Sequence, residues 1–190
     1  MNQQIHLVRR FQCGDRAAFE ELLRNEAPRL LNFVRKHVHT EDMAQDFFQE
    51  ICIRVWRFRE QLRDGEKFHS WLYQIARRTI MEFLRMREWT AEVGFFSQDK
   101  YLEQFMDDGK GPREEAQLKE LRKLIDREVC NLDDSFRQIL VLRYTANLNL
   151  REISTVLNVP YGTVCFRMSQ AAQHLRKRLK ALGVDVNSLQ

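Results

Sequence analysis

The chain has 190 residues, 44% of them apolar, with 31 Lys and Arg against 27 Asp and Glu and a formal net charge of +4. That length suits one ordinary domain or two small ones, and with no apolar run of about 18 residues a membrane-spanning helix is excluded. Only seven Gly and three Pro among abundant Leu, Arg, Glu, Gln and Phe, with almost no alternating β-branched runs, point to an all-α fold.

Leu7 and Phe11 open a helical pattern that breaks at Gly14-Asp15, where Asp15 can cap the helix carrying Ala18, Leu22 and Leu23. Pro28 is expected to start a further helix with Leu30, Leu31, Val34 and Val38, because a proline's missing N–H costs nothing in a first turn. Thr40 is a suitable N-cap, followed by Glu41 and Asp42 at the positive end of the helix dipole. Met43, Phe47, Ile51, Val55, Phe58 and Leu62 then recur at three- and four-residue steps, predicting one long amphipathic helix that Asp64-Gly65 ends. Phe68, Trp71, Leu72, Ile75, Ala76, Phe83 and Leu84 trace a second long helix, with Arg77, Arg78 and Arg85 off its apolar stripe.

From Glu92 to Gln117 the periodicity is lost. Seven acidic residues stand there against three basic ones, a net of −4 that leaves +8 for the remainder. The segment reads as a flexible acidic linker between domains spanning 1–91 and 118–190, although Phe95, Phe96, Tyr101, Leu102 and Phe105 also suit a short irregular helix packed on either domain. Beyond it, Leu118, Leu121, Ile125 and Val129 form a helix, and Asp133-Asp134-Ser135 caps another through Phe136, Ile139, Leu140 and Leu142.

The last segment reads as a helix-turn-helix. Ile153, Val156 and Leu157 share one face of a short helix, Asn158 tolerates the left-handed turn, and Val159 plugs the angle between helices. A second helix starts near Pro160, with Val164, Met168, Ala171 and Leu175 facing inward, an arrangement suited to the DNA major groove. Between Ile153 and Val184 there is no acid, while Arg167, Arg176, Lys177, Arg178 and Lys180 give +5. Such segregation of charge favours a polyanionic partner.

Cys13, Cys52, Cys130 and Cys165 are scattered with no close pair, which fits reduced packing thiols. Met1 to Arg10 has no apolar core, so no signal peptide is expected and the cytoplasm is the expected compartment. An enzyme reading, such as a metal-dependent hydrolase built on His37 and His39, is disfavoured: two residues apart on a helix they point to different faces. No Gly-rich phosphate loop or nucleophile elbow is present, so no catalytic residue, metal or cofactor is expected.

Taken together, Gly14-Asp15 with Ala18-Phe19, DFFQEICIRVWR (Asp46 to Arg57), FHSWLYQIAR (Phe68 to Arg77), FLRMR (from Phe83), LDDSFRQILVLRY (Leu132 to Tyr144) and LREISTVLNVPYGTV resemble the extracytoplasmic-function (ECF) sigma factors of bacterial RNA polymerase. The resemblance implies a subunit that binds core polymerase and directs promoter recognition, strand opening and transcription initiation. Its first domain would read the −10 element and its second the −35 element. Asp46, Gln49, Glu50, Arg54 and Arg57 would form a polar strip docking on the β′ clamp helices, with further contact to the β subunit. Leu62, Lys67, Phe68, Trp71, Arg77, Arg78 and Arg85 would serve −10 binding and melting, using cations for the backbone and rings for extruded bases. Tyr161, Thr163, Phe166, Arg167, Gln170, Arg176 and Lys177 would contact the −35 element. An anti-sigma protein covering the polymerase-binding surfaces is implied, and it could hold the two tethered domains as a compact, inactive pair.

Two positions depart from the family pattern. Arg78 stands where the family often has Asn, and GTVCFR replaces an Arg-richer recognition turn. The alternative is a stand-alone helix-turn-helix regulator with a helical sensor domain. It accounts for the C-terminal unit but not for the strip from Asp46 to Arg57.

Overall fold

A computed structural model describes residues 2–38, 40–88 and 112–184, which hold eight α-helices and no strand. They are α1 (Asn2–Gln12), α2 (Arg16–Arg35), α3 (Glu41–Arg57), α4 (Phe68–Glu88), α5 (Pro112–Cys130), α6 (Asp134–Tyr144), α7 (Leu150–Leu157) and α8 (Tyr161–Ala181). Two short 3₁₀ turns, Arg59–Gln61 and Gly65–Lys67, lie between α3 and α4.

The break before α2 follows from backbone conformation. Gly14 sits at φ +86°, a region open to glycine, and Asp15 then caps α2 by accepting from the Ala17 and Ala18 amides. The Ala18 amide, and next Arg10, hold the Asp15 carboxyl below its usual range.

Pro28 does not start a helix. It lies inside α2, which runs unbroken through it. An interior proline costs about 3 kcal/mol, but Leu22, Leu30, Phe33 and Val34 are buried around it, at about 1.5–3 kcal/mol each. Burial on that scale outweighs the local preference. The end of α2 is tied to the start of α3 by a two-pronged pair from Arg35 to Glu41, while Thr40 caps α3 through the Met43 amide at 3.2 Å.

The helix expected to reach Leu62 ends earlier, at Arg57. The Arg59 guanidinium folds back over the Trp56 ring, 5.0 Å from its centroid, and donates to the Trp56 carbonyl at 3.0 Å. Gln12 donates to the Leu62 carbonyl, which fixes the loop against α1. Along α3, Ala44, Phe47, Ile51 and Val55 are buried as the periodicity requires.

The linker expected over 92–117 is shortened by its last six residues, because α5 begins at Pro112. Proline fits there, since its missing N–H has no partner in a first turn. Residues 92–111 lie outside the described part, as does His39.

The two halves are packed together. Buried residues of α1 to α4 and Ile139, Leu142, Leu148, Ile153, Val156 and Val164 of the second half form one continuous apolar cluster. α7 lies against α4. At this seam Gln74 donates to the Thr155 carbonyl at 2.8 Å, and Arg77 reaches Gln138 at 3.3 Å. Lys36 pairs with Asp126 at 2.9 Å. His69 stands between Glu26 of α2 (3.3 Å) and Glu152 of α7 (3.8 Å).

Candidate nucleic-acid interface

The outward face of α3 carries the expected polar strip. Asp46, Gln49 and Arg57 are exposed, and Glu50 is half-buried beside them. Ile53, 56% exposed, stands among them. Sequence reasoning passed it over because it is off the buried stripe. The available signal was a β-branched residue on a helix face otherwise made of charges and amides.

Arg54 plays a different part from its neighbours. Its guanidinium bonds Glu50 at 2.6 Å and Glu82 of α4 at 2.5 Å, and Glu82 also holds Arg78 at 2.7 Å. Hydrogen bonds from Arg54 first and Arg78 second keep the Glu82 carboxyl below its ordinary range, and Glu50 and then Glu82 raise Arg54. Arg54 therefore joins α3 to α4. These pairs are partly solvated, each worth about 0–1 kcal/mol.

Two residues expected at the −10 surface belong to the core. Leu62 is 3% exposed and Phe68 1%, so neither can meet DNA without unpacking the first half. Phe68 packs edge-on against Phe11 at 6.2 Å. Tyr73, on the same helix, is fully buried against Phe33, and burial pushes its phenol well above the usual value. The accessible members are Lys67, Arg78 and Arg85, with Trp71 half-buried among Phe11 and Phe68. Arg77 is half-buried at the seam, where desolvation lowers its pKa.

In the second half α7 is held by a reciprocal cap. Asn149 accepts from the Arg151 and Glu152 amides at 3.0 Å, and Glu152 accepts from the Asn149 amide at 2.7 Å. Asn158 turns the chain in the left-handed region at φ 54°, ψ 48°, and the Ser154 hydroxyl donates to the Val159 carbonyl at 2.6 Å. α8 then leaves with Val164 and Ala171 buried and Met168 and Leu175 half-buried. Tyr161, Phe166, Arg176 and Lys177 are exposed, with Thr163, Arg167 and Gln170 partly so. The turn, its plug and the inward face all match the sequence expectation. Arg178 differs from its basic neighbours, because buried Glu128 of α5 binds it at 2.5 Å.

An open apolar groove of about 350 Å³ runs between α5, α6 and α8, lined by Ile125, Val129, Leu140, Val141, Leu175 and Leu179. Burial pushes the Cys52 thiol up to about 11, which makes it a packing group. Among the described residues no cluster of three His, Cys, Asp or Glu side chains could hold a metal ion, and no helix is long and apolar enough to cross a membrane.

Family comparisons agree with this geometry. Residues 22–90 match the model for Sigma-70 region 2, and residues 131–177 that for Sigma-70 region 4. The RNA polymerase sigma-H factor of Pseudomonas aeruginosa is 31% identical over 95% of this chain and 95% of its own length. The ECF RNA polymerase sigma factor SigW of Bacillus subtilis is 28% identical over 92% and 96%, and the ECF RNA polymerase sigma-E factor of Escherichia coli K12 is 26% identical over 93% and 94%. In fold, the chain resembles CnrH in complex with the cytosolic domain of CnrY (TM-score 0.68, 19% identity, 94% of this chain and 97% of that one). It also resembles RpoE bound to the anti-sigma factor NepR from Bartonella quintana (TM-score 0.66, 17% identity, 88% and 98%). A two-part helical chain with a capped helix-turn-helix, matched along almost its whole length by such relatives, is a transcription initiation factor and not an enzyme: it belongs to the ECF sigma factors of bacterial RNA polymerase.

Proposed function

We propose that the outward strip of α3 is the polymerase-docking surface, with Asp46, Gln49, Glu50 and Arg57 as its polar rim and Ile53 as its apolar centre. An apolar residue ringed by polar ones is how helix-docking surfaces are commonly built. The exposure of Ile53 among these groups is the observation that carries the reading. The β′ clamp helices are the partner the family resemblance implies, with the second half contacting β.

The first half, residues 1–91, would bind and open the −10 element through Lys67, Arg78 and Arg85, with Trp71 as the available ring. Arg77 would join them once the seam with the second half opens. The second domain, from Pro112 onward, would read the −35 element through α8, with Arg176 and Lys177 on phosphates. Both would act in the cytoplasm, beside core polymerase and promoter DNA. An anti-sigma regulator is a further partner. Supporting this are the packed halves, whose seam engages Gln74 and Arg77, and the apolar groove between α5, α6 and α8, which suits an amphipathic helix.

The test is Asp46→Ala combined with Glu50→Ala. We expect affinity for core polymerase to fall by about tenfold or more. Thermal stability should change by less than about 1 kcal/mol, because Arg54 keeps its bond to Glu82. Unchanged affinity for core enzyme rules the docking surface out.

A further inference from the structure

The recognition helix carries a large apolar side chain where a guanine-reading helix needs a cation. Phe166 is 63% exposed, one turn beyond Gly162 and one turn before Ser169 and Gln170. Helical spacing places Gly162, Phe166, Ser169 and Gln173 along one outward stripe, and none of them bears a charge. Even a Cβ added at Gly162 would meet nothing within 4 Å, so the surface beside the ring is open. Tyr161, 49% exposed, lies at the edge of this stripe with the Arg151 guanidinium 5.9 Å above its ring.

The cations stand around this stripe. Arg167 follows Phe166 directly, which turns it about 100° away, and it is half-buried. Arg176 and Lys177 lie about 15 Å further along the helix, at the distance of the phosphate backbone rather than of the same base step. With no acid from Ile153 to Val184, the whole surface favours approach to a polyanion. Arg or Lys reads guanine through O6 and N7, and the one apolar feature of the major groove is the thymine C5-methyl.

We propose that α8 reads thymine methyl groups, with Phe166 as the specificity-determining side chain and Tyr161 supporting it at the adjoining base step. The proposal rests on the assignment of α8 to the major groove of the −35 element. Gln170 extends the same logic, since an amide side chain pairs with adenine N6 and N7. The −35 element of this protein is then rich in A·T at the positions under the first two turns of α8. Shielding one methyl group from water is worth about fourfold in binding.

The experiment uses the full chain with core polymerase. Promoters with a randomised −35 region are selected by in vitro transcription, and each thymine of the selected element is replaced in turn by deoxyuridine, which removes only the methyl group. We expect at least one replacement to lower promoter use by about three- to tenfold with the wild-type protein. Phe166→Ala should lower use of the thymine promoter and be indifferent to that replacement. Phe166→Leu, which keeps an apolar contact, should retain discrimination. Indifference of the wild-type protein to every replacement overturns the proposal, as does an element lacking thymine on both strands. Equal loss by Phe166→Ala on thymine and uracil templates, or a loss of affinity for core polymerase, overturns it in favour of a protein-binding role for the ring. Those results leave protein-dependent transcription intact. Its complete absence instead removes the underlying sigma assignment, and the proposal with it.

Discussion

His37 shows how one side chain couples the two halves to pH. Its ring lies 4.5 Å from that of Phe33, and Nδ1 is 2.8 Å from the Phe33 carbonyl. Desolvation, the dominant effect, drives its pKa down to about 4; Arg137 and Arg77 add to this, while the Phe33 carbonyl and Asp134 oppose it. A base whose folded pKa lies below its ordinary value of 6.5 binds fewer protons when folded. Its contribution is complete above about pH 6.5 and is lost as pH falls toward 4. Denaturant titrations at pH 7.5 and pH 5 should therefore show a loss of stability at the lower pH that is smaller in His37→Gln. An equal loss in both proteins would show that this ring is not the group responsible. Several residue assignments were legible without coordinates: Asp15, Thr40 and Asn158 sit where short polar side chains satisfy or turn the backbone. Leu62 and Phe68 carried two readings, since each continues an apolar stripe at helical spacing while the family resemblance sets it at the −10 element, and only the packing around them decides for the core.

At the scale of elements, periodicity located α3, α4, α7 and α8, because each has one face against the core and one in water. It failed where tertiary burial overrides a local preference. Pro28 is the clearest case, since the rule that places proline in a first turn is overruled by buried residues on both sides of it. Pro28→Ala should restore a backbone hydrogen bond in an intact helix. It is predicted to raise stability by about 1–3 kcal/mol, part of the gain being offset by the greater freedom of the unfolded chain. A lower melting temperature would mean that the proline's ring is itself required by the packing. The end of α3 was misplaced for a related reason: Phe58 and Leu62 continue the helical spacing, but the bonds from Arg59 to Trp56 and from Gln12 to Leu62 draw the chain into a tighter turn. The polar strip of α3 was legible as a row of charges and amides. Arg54 as a tie to α4 and the exposure of Ile53 among them were not, because both depend on what stands opposite the helix.

For the whole molecule, two small domains could be read from two separated apolar patterns and an acidic segment between them. Their mutual packing could not, since the residues joining them, Gln74 with Thr155 and Arg77 with Gln138, carry no pattern of their own. That packing also gives the molecule two tasks to reconcile. The seam covers part of α4, so the DNA contact proposed for Arg77 would require the halves to part, at the expense of contacts in a continuous core. The proposed docking of α3 on polymerase and of α8 on the −35 element would favour the open form. The most direct measurement is transcript mapping in vitro with core polymerase, genomic DNA fragments and the purified protein. Discrete start sites that appear only when the protein is added, each with a shared upstream element, are the predicted result. No protein-dependent transcript, together with nanomolar binding of duplex DNA by the protein alone, would contradict the account and identify a stand-alone helix-turn-helix regulator.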